Sequence, residues 1–115
     1  MFELKRSEIF RGKREFNEVY SKGRSFANRD IVIYVLFNQN LSGRVGFAAG
    51  KKLGGAVVRN RVKRILREAY RLNKNNIRQD CALVLVGRKN LVDAKAGAAI
   101  KSFREICRKA KIWTG

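Results

Sequence analysis

The segment from Lys51 to Arg71 carries eight Lys or Arg side chains and a single acid, Glu68. Arginine dominates its later part, and a guanidinium group is planar, permanently charged and able to grip a phosphate through two parallel N–H bonds. From Ala56 to Leu72 the apolar residues recur at helical spacing. Steps of about 100° put Val58, Val62, Ile65, Leu66, Ala69 and Leu72 on one face, and Arg59, Asn60, Lys63, Arg64, Arg67 and Arg71 on the other. A solvated charged face usually neutralises itself with acids three or four residues away, and Glu68 alone cannot do this for several arginines. The fitting chemistry is therefore docking onto a polyanion whose phosphates form a regular array. DNA could also receive a basic helix. No helix precedes this one at helix-turn-helix spacing, however; strands stand there instead.

The rest of the chain agrees. Its 27 Lys and Arg against 9 Asp and Glu give a net charge of +18 at pH 7, which points to a nucleic-acid partner. A membrane is the other anionic surface, but no apolar run approaches the roughly 20 residues needed to span one. Met1 is followed by charge instead of a secretory apolar stretch, so the expected location is cytoplasmic. There is no His, and the carboxylates are scattered outside the apolar strands. The chain thus lacks the commonest general base and any evident metal cluster, and no catalytic or metal-binding residue is expected in it. Cys81 and Cys107 are too few for a zinc site and read as reduced, part-buried small apolar residues.

The elements that must carry these residues follow from pattern. Lys13 to Lys22 holds Phe16, Val19 and Tyr20 at helical spacing, with Gly23 as its stop, and this stripe by itself reads as core packing. Ile31 to Phe37 reads as a strand buried on parts of both faces, and Arg44 to Ala49 as another. The turn residues from Asn38 to Gly43 suggest that these two form an antiparallel hairpin. Ser25 to Arg29 adds a short strand before them. Gly46, Ala48 and Ala49 leave room beside the sheet for a large group such as a base or an aromatic ring. Ala82 to Val86, ended by Gly87, is the last strand, and a helix from about Asp93 to Lys109 closes the chain. At 115 residues, with no proline, repeat or linker, residues 1–115 are expected to form one α+β domain. Its order is α-β-β-β-α-β-α, a four-stranded sheet packed by helices.

The run Arg44-Val45-Gly46-Phe47, then Lys51-Lys52 with Gly54, then Ala56 through Glu68 with Arg59-Asn60-Arg61 at its centre, closely resembles the arginine-rich signature of the bacterial ribonuclease P protein family. Leu4-Lys5-Arg6, Phe16, Tyr20, Gly23, Ala27-Asn28-Arg29 and Tyr34 follow that family's separations. The resemblance runs from about Leu4 to Lys109. Two departures stand out: Gly50 replaces a frequent serine, and Gly55 a frequent polar or basic residue.

The resemblance implies a left-handed β-α-β crossover around the central helix, against the usual right-handed rule. It implies that the chain is the accessory subunit of a ribonucleoprotein endoribonuclease and is not catalytic alone. A catalytic RNA would hold the Mg2+ ions and remove the 5′ leader from precursor tRNA, with no metal bound by the protein itself. Lys51, Lys52, Arg59, Asn60, Arg61, Lys63, Arg64 and Arg67 would bind the ribonuclease P RNA. Phe16, Tyr20, Val32 and Tyr34 would line a cleft for the single-stranded leader, since aromatic faces suit unstacked bases of any sequence. Two other classes remain open on the residues alone: a structural RNA-binding protein of ribosomal type, and a stand-alone nuclease, the latter disfavoured by the missing His and dispersed acids.

Overall fold

The computed structural model describes residues 4–38 and 40–115. Gln39, within the expected turn, and Met1 to Glu3 of the N-terminal arm lie outside these. The order is α1 (Lys13–Lys22), β1 (Arg24–Ala27), β2 (Ile31–Leu36), β3 (Val45–Ala49), α2 (Ala56–Asn73), β4 (Ala82–Gly87) and α3 (Ala96–Lys109), with short 3-10 turns between. The strands make one mixed sheet in the order β1-β2-β4-β3.

That order overturns the expected hairpin. β2 and β3 run in opposite directions, but β4 lies between them, antiparallel to β2 and parallel to β3. The turn chemistry is present: Asn38 accepts Asn40 N–H on its side chain at 2.8 Å, and its carbonyl accepts Leu41 N–H at 3.1 Å. Such a loop reverses the chain equally well whether its strands touch or leave a gap. What decides is β4 itself, whose Ala82, Leu83, Val84 and Leu85 are all buried. A strand apolar on both faces is stable only with helices above and below and strands on both sides, so it takes the interior of the sheet.

The two faces of the sheet are covered differently. Ile31, Ile33 and Val35 of β2, Val45 and Phe47 of β3 and Leu83 and Leu85 of β4 share the main core with α2 and α3. Tyr70 of α2 sits between Phe47 and Phe103, at ring distances of 6.1 and 6.0 Å, and joins β3 to both helices. On the opposite face, α1 buries Val19 against Ala82, Val84 and Phe10 in a smaller core. α1 does stop at Gly23, whose backbone is extended and not left-handed. Glycine is required there by proximity: a Cβ would lie 2.6 Å from the Val19 carbonyl oxygen and 2.9 Å from that of Val35.

Side chains fasten the periphery. Asn28 accepts the N–H groups of Asp30 and Ile31 at 3.0 and 2.9 Å and donates to the Ser102 carbonyl at 3.0 Å, which ties the β1–β2 turn to α3. Glu8, in the N-terminal arm, takes Lys74 Nζ at 2.6 Å, where α2 has just ended, and also accepts Lys5 N–H at 3.1 Å. Burial pushes the Glu8 carboxyl up, but the Lys74 ammonium and the Lys5 N–H together hold it below its ordinary value of 4.5. A lowered carboxyl contributes stability above its unfolded value and loses it as pH falls through the lower folded one. Glu8→Gln should therefore lower the unfolding free energy by about 1–3 kcal/mol near neutral pH. In urea titrations repeated at falling pH, the two proteins should converge in acid.

Candidate nucleic-acid interface

Two surfaces, on opposite faces of the sheet, gather the residues singled out by type. The first is the exposed side of α2. Lys51 and Lys52 stand exposed in the 3-10 turn after β3, and Asn60, Arg64 and Arg67 are exposed along α2. Arg59 and Lys63 are half-buried. Among the described residues none of these cations is ion-paired: the five ion pairs use Lys22, Arg44, Arg71, Lys74 and Arg78 instead. Glu68 is taken by Arg71, at 2.5 Å, and that hydrogen bond holds its carboxyl below the usual range. The one acid of the segment thus neutralises the last arginine of the run and leaves the earlier ones uncompensated.

Arg61 differs from its neighbours. Its guanidinium donates to the carbonyls of Val92 and Ala94, clamping the loop before α3 onto α2, so this arginine has a structural task whatever else it touches. Arg67 lies over the Phe47 ring at 5.9 Å, which keeps its planar group against β3. Sequence reasoning passed over Val57. It is 83% exposed in the first turn of α2, an apolar side chain among cations, and it falls off the packing face on the same helical wheel. Gly50 and Gly55 precede the 3-10 turn and α2 with extended backbones, and nothing lies within 4 Å of a Cβ built on either. A side chain would fit at both, so neither departure from the family pattern is a requirement of the fold.

The second surface lies where α1 meets the sheet. On that face the register sets Ala27, Val32, Val86 and Ala48 side by side across all four strands, and Ser25, Tyr34, Val84 and Gly46 in the next row. α1 lies over the second row. Its Phe16 ring fills the space left by Gly46, where a Cβ would come within 2.6 Å of it, and meets Phe10 edge-on at 5.4 Å. Tyr20 meets Tyr34 edge-on at 4.8 Å and remains 38% exposed. Burial, and then the neighbouring Tyr34, raise the Tyr20 hydroxyl above its ordinary value, so it stays a neutral donor. The first row is left as a half-exposed floor. All four expected residues, Phe16, Tyr20, Val32 and Tyr34, therefore come together. Val86 and Ala48 complete the floor; Ala48 is one of the small residues already singled out, whereas Val86 follows only from the strand register. Of the three small residues of β3, Gly46 makes room for an aromatic ring, and the ring is Phe16, whereas Ala49 packs against the main core.

No three Asp, Glu or Cys side chains among the described residues gather so as to hold a metal ion. Glu8, Glu15, Glu18, Glu68 and Asp80 each pair with a cation instead. Cys81 and Cys107 are buried and free, and burial pushes the Cys81 thiol up to about 11.

Sequence comparison matches residues 4–111 to the model of the family Ribonuclease P. The chain belongs to the ribonuclease P protein family. It is 41% identical to the ribonuclease P protein component of Clostridium novyi over 105 residues, covering 90% of this chain and 87% of that one. With the counterpart from Symbiobacterium thermophilum the identity is 47% over 91 residues, 78% of this chain and 79% of that one. Its fold superimposes on the RNase P protein of Staphylococcus aureus with a TM-score of 0.80 at 30% identity, covering 92% of this chain and 97% of that one. The Thermotoga maritima RNase P protein gives 0.77 at 26% identity, over 89% and 96%. The small α+β domain with a mixed four-stranded sheet is thus the ribonuclease P protein fold, and membership implies partnership with the ribonuclease P RNA.

The Gly46–Phe16 fit can be tested. Gly46→Val should lower stability by about 1–3 kcal/mol in denaturant titrations, because the added methyls meet two rings already in contact.

Proposed function

We propose that this chain acts in the cytoplasm as the protein subunit that joins the catalytic RNA of ribonuclease P to the single-stranded 5′ leader of precursor tRNA. The RNA, with its own Mg2+, hydrolyses the bond that frees the mature tRNA 5′ end, and the polypeptide alone is not catalytic. The observation that carries this reading is the pairing of two chemically different surfaces across one sheet: an uncompensated arginine row on α2, and an aromatic-walled groove behind it. Arginines without acids bind phosphate arrays through counterion release and carry no sequence information. Half-exposed rings over an apolar floor hold unstacked bases, again without reading them. A leader of any sequence can then be gripped at a distance from the scissile bond, and cationic side chains offset repulsion between the two RNAs. Both effects lower the magnesium needed for cleavage. The protein's acids take no part in this scheme.

The test is cleavage of a precursor tRNA by a bacterial ribonuclease P RNA at low magnesium, with and without this protein. Stimulation is expected. Inertness would overturn the reading, and cleavage without the RNA would overturn the non-catalytic assignment. Within that assay Tyr20→Ala is the cleaner groove variant, because Phe16 also packs on Phe10 and Gly46. It should weaken binding of leader-bearing substrate by about tenfold, as expected for the loss of one stacked base, and leave leaderless tRNA unaffected. Equal losses for both substrates would remove the groove from the leader path. Arg64→Ala should instead weaken binding to the catalytic RNA and reduce its salt slope by about one.

A further inference from the structure

Away from both surfaces, a further cluster of cations lies on one flank of α3. Lys101, Arg104 and Arg108 follow at helical spacing on one side of the helix, and with Glu105 they line a shallow depression. None of the three cations is ion-paired among the described residues, and Glu105, although within helical reach of two of them, pairs with neither. Arg104 and Arg108 both lie over the indole of Trp113, at 5.5 and 5.6 Å.

The indole is held in place by the fold. Lys111 adopts a left-handed backbone with φ 62°, unusual for a residue with a side chain. Lys111 N–H donates to the Arg108 carbonyl at 3.1 Å and Ile112 N–H to that of Cys107 at 3.0 Å, which turns the chain back beneath the helix. Ile112 is fully buried, its carbonyl accepts Arg78 N–H at 2.9 Å, and Trp113 bridges to Ile77. The tail is therefore a platform under two guanidinium groups. Complementing the helix dipole would need cations only in the last turn, where Arg108 and Lys109 stand, and accounts for neither Arg104 nor Lys101. A guanidinium stacked on a ring keeps its N–H edge for an anion and has less side-chain freedom to lose on binding it.

Position indicates which anion. α3 lies beside α2 on the same face of the sheet, joined near their starts by Arg61 to Val92 and Ala94, and near the end of α2 by Asn73 Nδ2 to the Ile100 carbonyl at 3.3 Å. The groove lies on the other face. We infer that Arg104 and Arg108, set on the Trp113 platform, together with Lys101 form a second docking surface for the backbone of the catalytic RNA, extending the α2 contact sideways. This rests on the reading that α2 meets that RNA.

Equilibrium binding of the full-length chain to a bacterial ribonuclease P RNA, titrated across salt, tests it. Arg104→Gln/Arg108→Gln should raise Kd about tenfold and reduce the salt slope by roughly one to two. Lys101→Gln, which touches nothing in the fold, should shift both in the same direction by less. Glu105→Gln should tighten binding, a gain that misfolding cannot produce. Unchanged Kd and slope in all three variants overturn the inference, and leave the proposed function standing if Arg64→Ala still weakens binding. If the unaltered protein does not bind this RNA, the functional reading falls and the inference with it.

Discussion

Parallel neighbouring strands cannot be joined by a tight turn, so the pairing of β3 with β4 obliges the chain to cross the sheet before returning to it. The crossing segment is α2. Because the apolar stripe of α2 must meet the core residues of β3 and β4, its arginines are forced outward on that face, and the opposite face is left to α1. α1 is only 10 residues long, and it covers one end of the sheet. The uncovered row becomes the groove floor. One strand pairing therefore separates a charged surface from an aromatic one by the thickness of a sheet.

Charge is distributed with the same economy. Among the described residues two ion-paired carboxylates hold joints between elements: Glu8 ties the N-terminal arm to the end of α2 and Glu15 of α1 reaches Arg44 beside β3, whereas Glu18, Glu68 and Asp80 pair with neighbours in sequence. None sits within the run from Arg59 to Arg67. A chain of +18 repels itself, and the joints made by Glu8 and Glu15 help keep the fold closed while the outer helical faces stay cationic.

Much of this was legible in the residues. α1 has its expected bounds, α2 extends one residue further than its pattern, and the short strand before β2 exists, because each is fixed by local periodicity and by glycines next to it. The neighbours of β4 were not legible, since turn chemistry reports reversal of the chain and not adjacency. Tyr70 and Asn73 were missed as buried residues for a related reason. A helical wheel weighs hydrophobicity, whereas Asn73 is buried because Ala69 and Ile100 carbonyls accept its amide, and Tyr70 because two rings flank it. α3 begins at Ala96, later than the apolar pattern suggested, because Lys89–Leu91 forms a separate 3-10 turn that Arg61 clamps through Val92 and Ala94.

The site was legible in type more than in role. Eight residues were assigned to one task by resemblance to the family, yet the structure divides them. Arg61 is engaged with the loop before α3, Arg67 rests on Phe47, and Arg64 and Asn60 project freely from α2. An arginine anchored at its plane and one free in solvent differ in the entropy lost on meeting a phosphate, so equal charge does not mean equal contribution. The groove makes the same point with rings. Phe16 is held by Phe10 and Gly46 and stiffens the wall, and Tyr20 is the exposed ring of the set, at 38%. Under the proposed function, stacking from a wall that is already rigid would require ordering only of the incoming strand, which suits a partner whose sequence varies but whose single-stranded character does not.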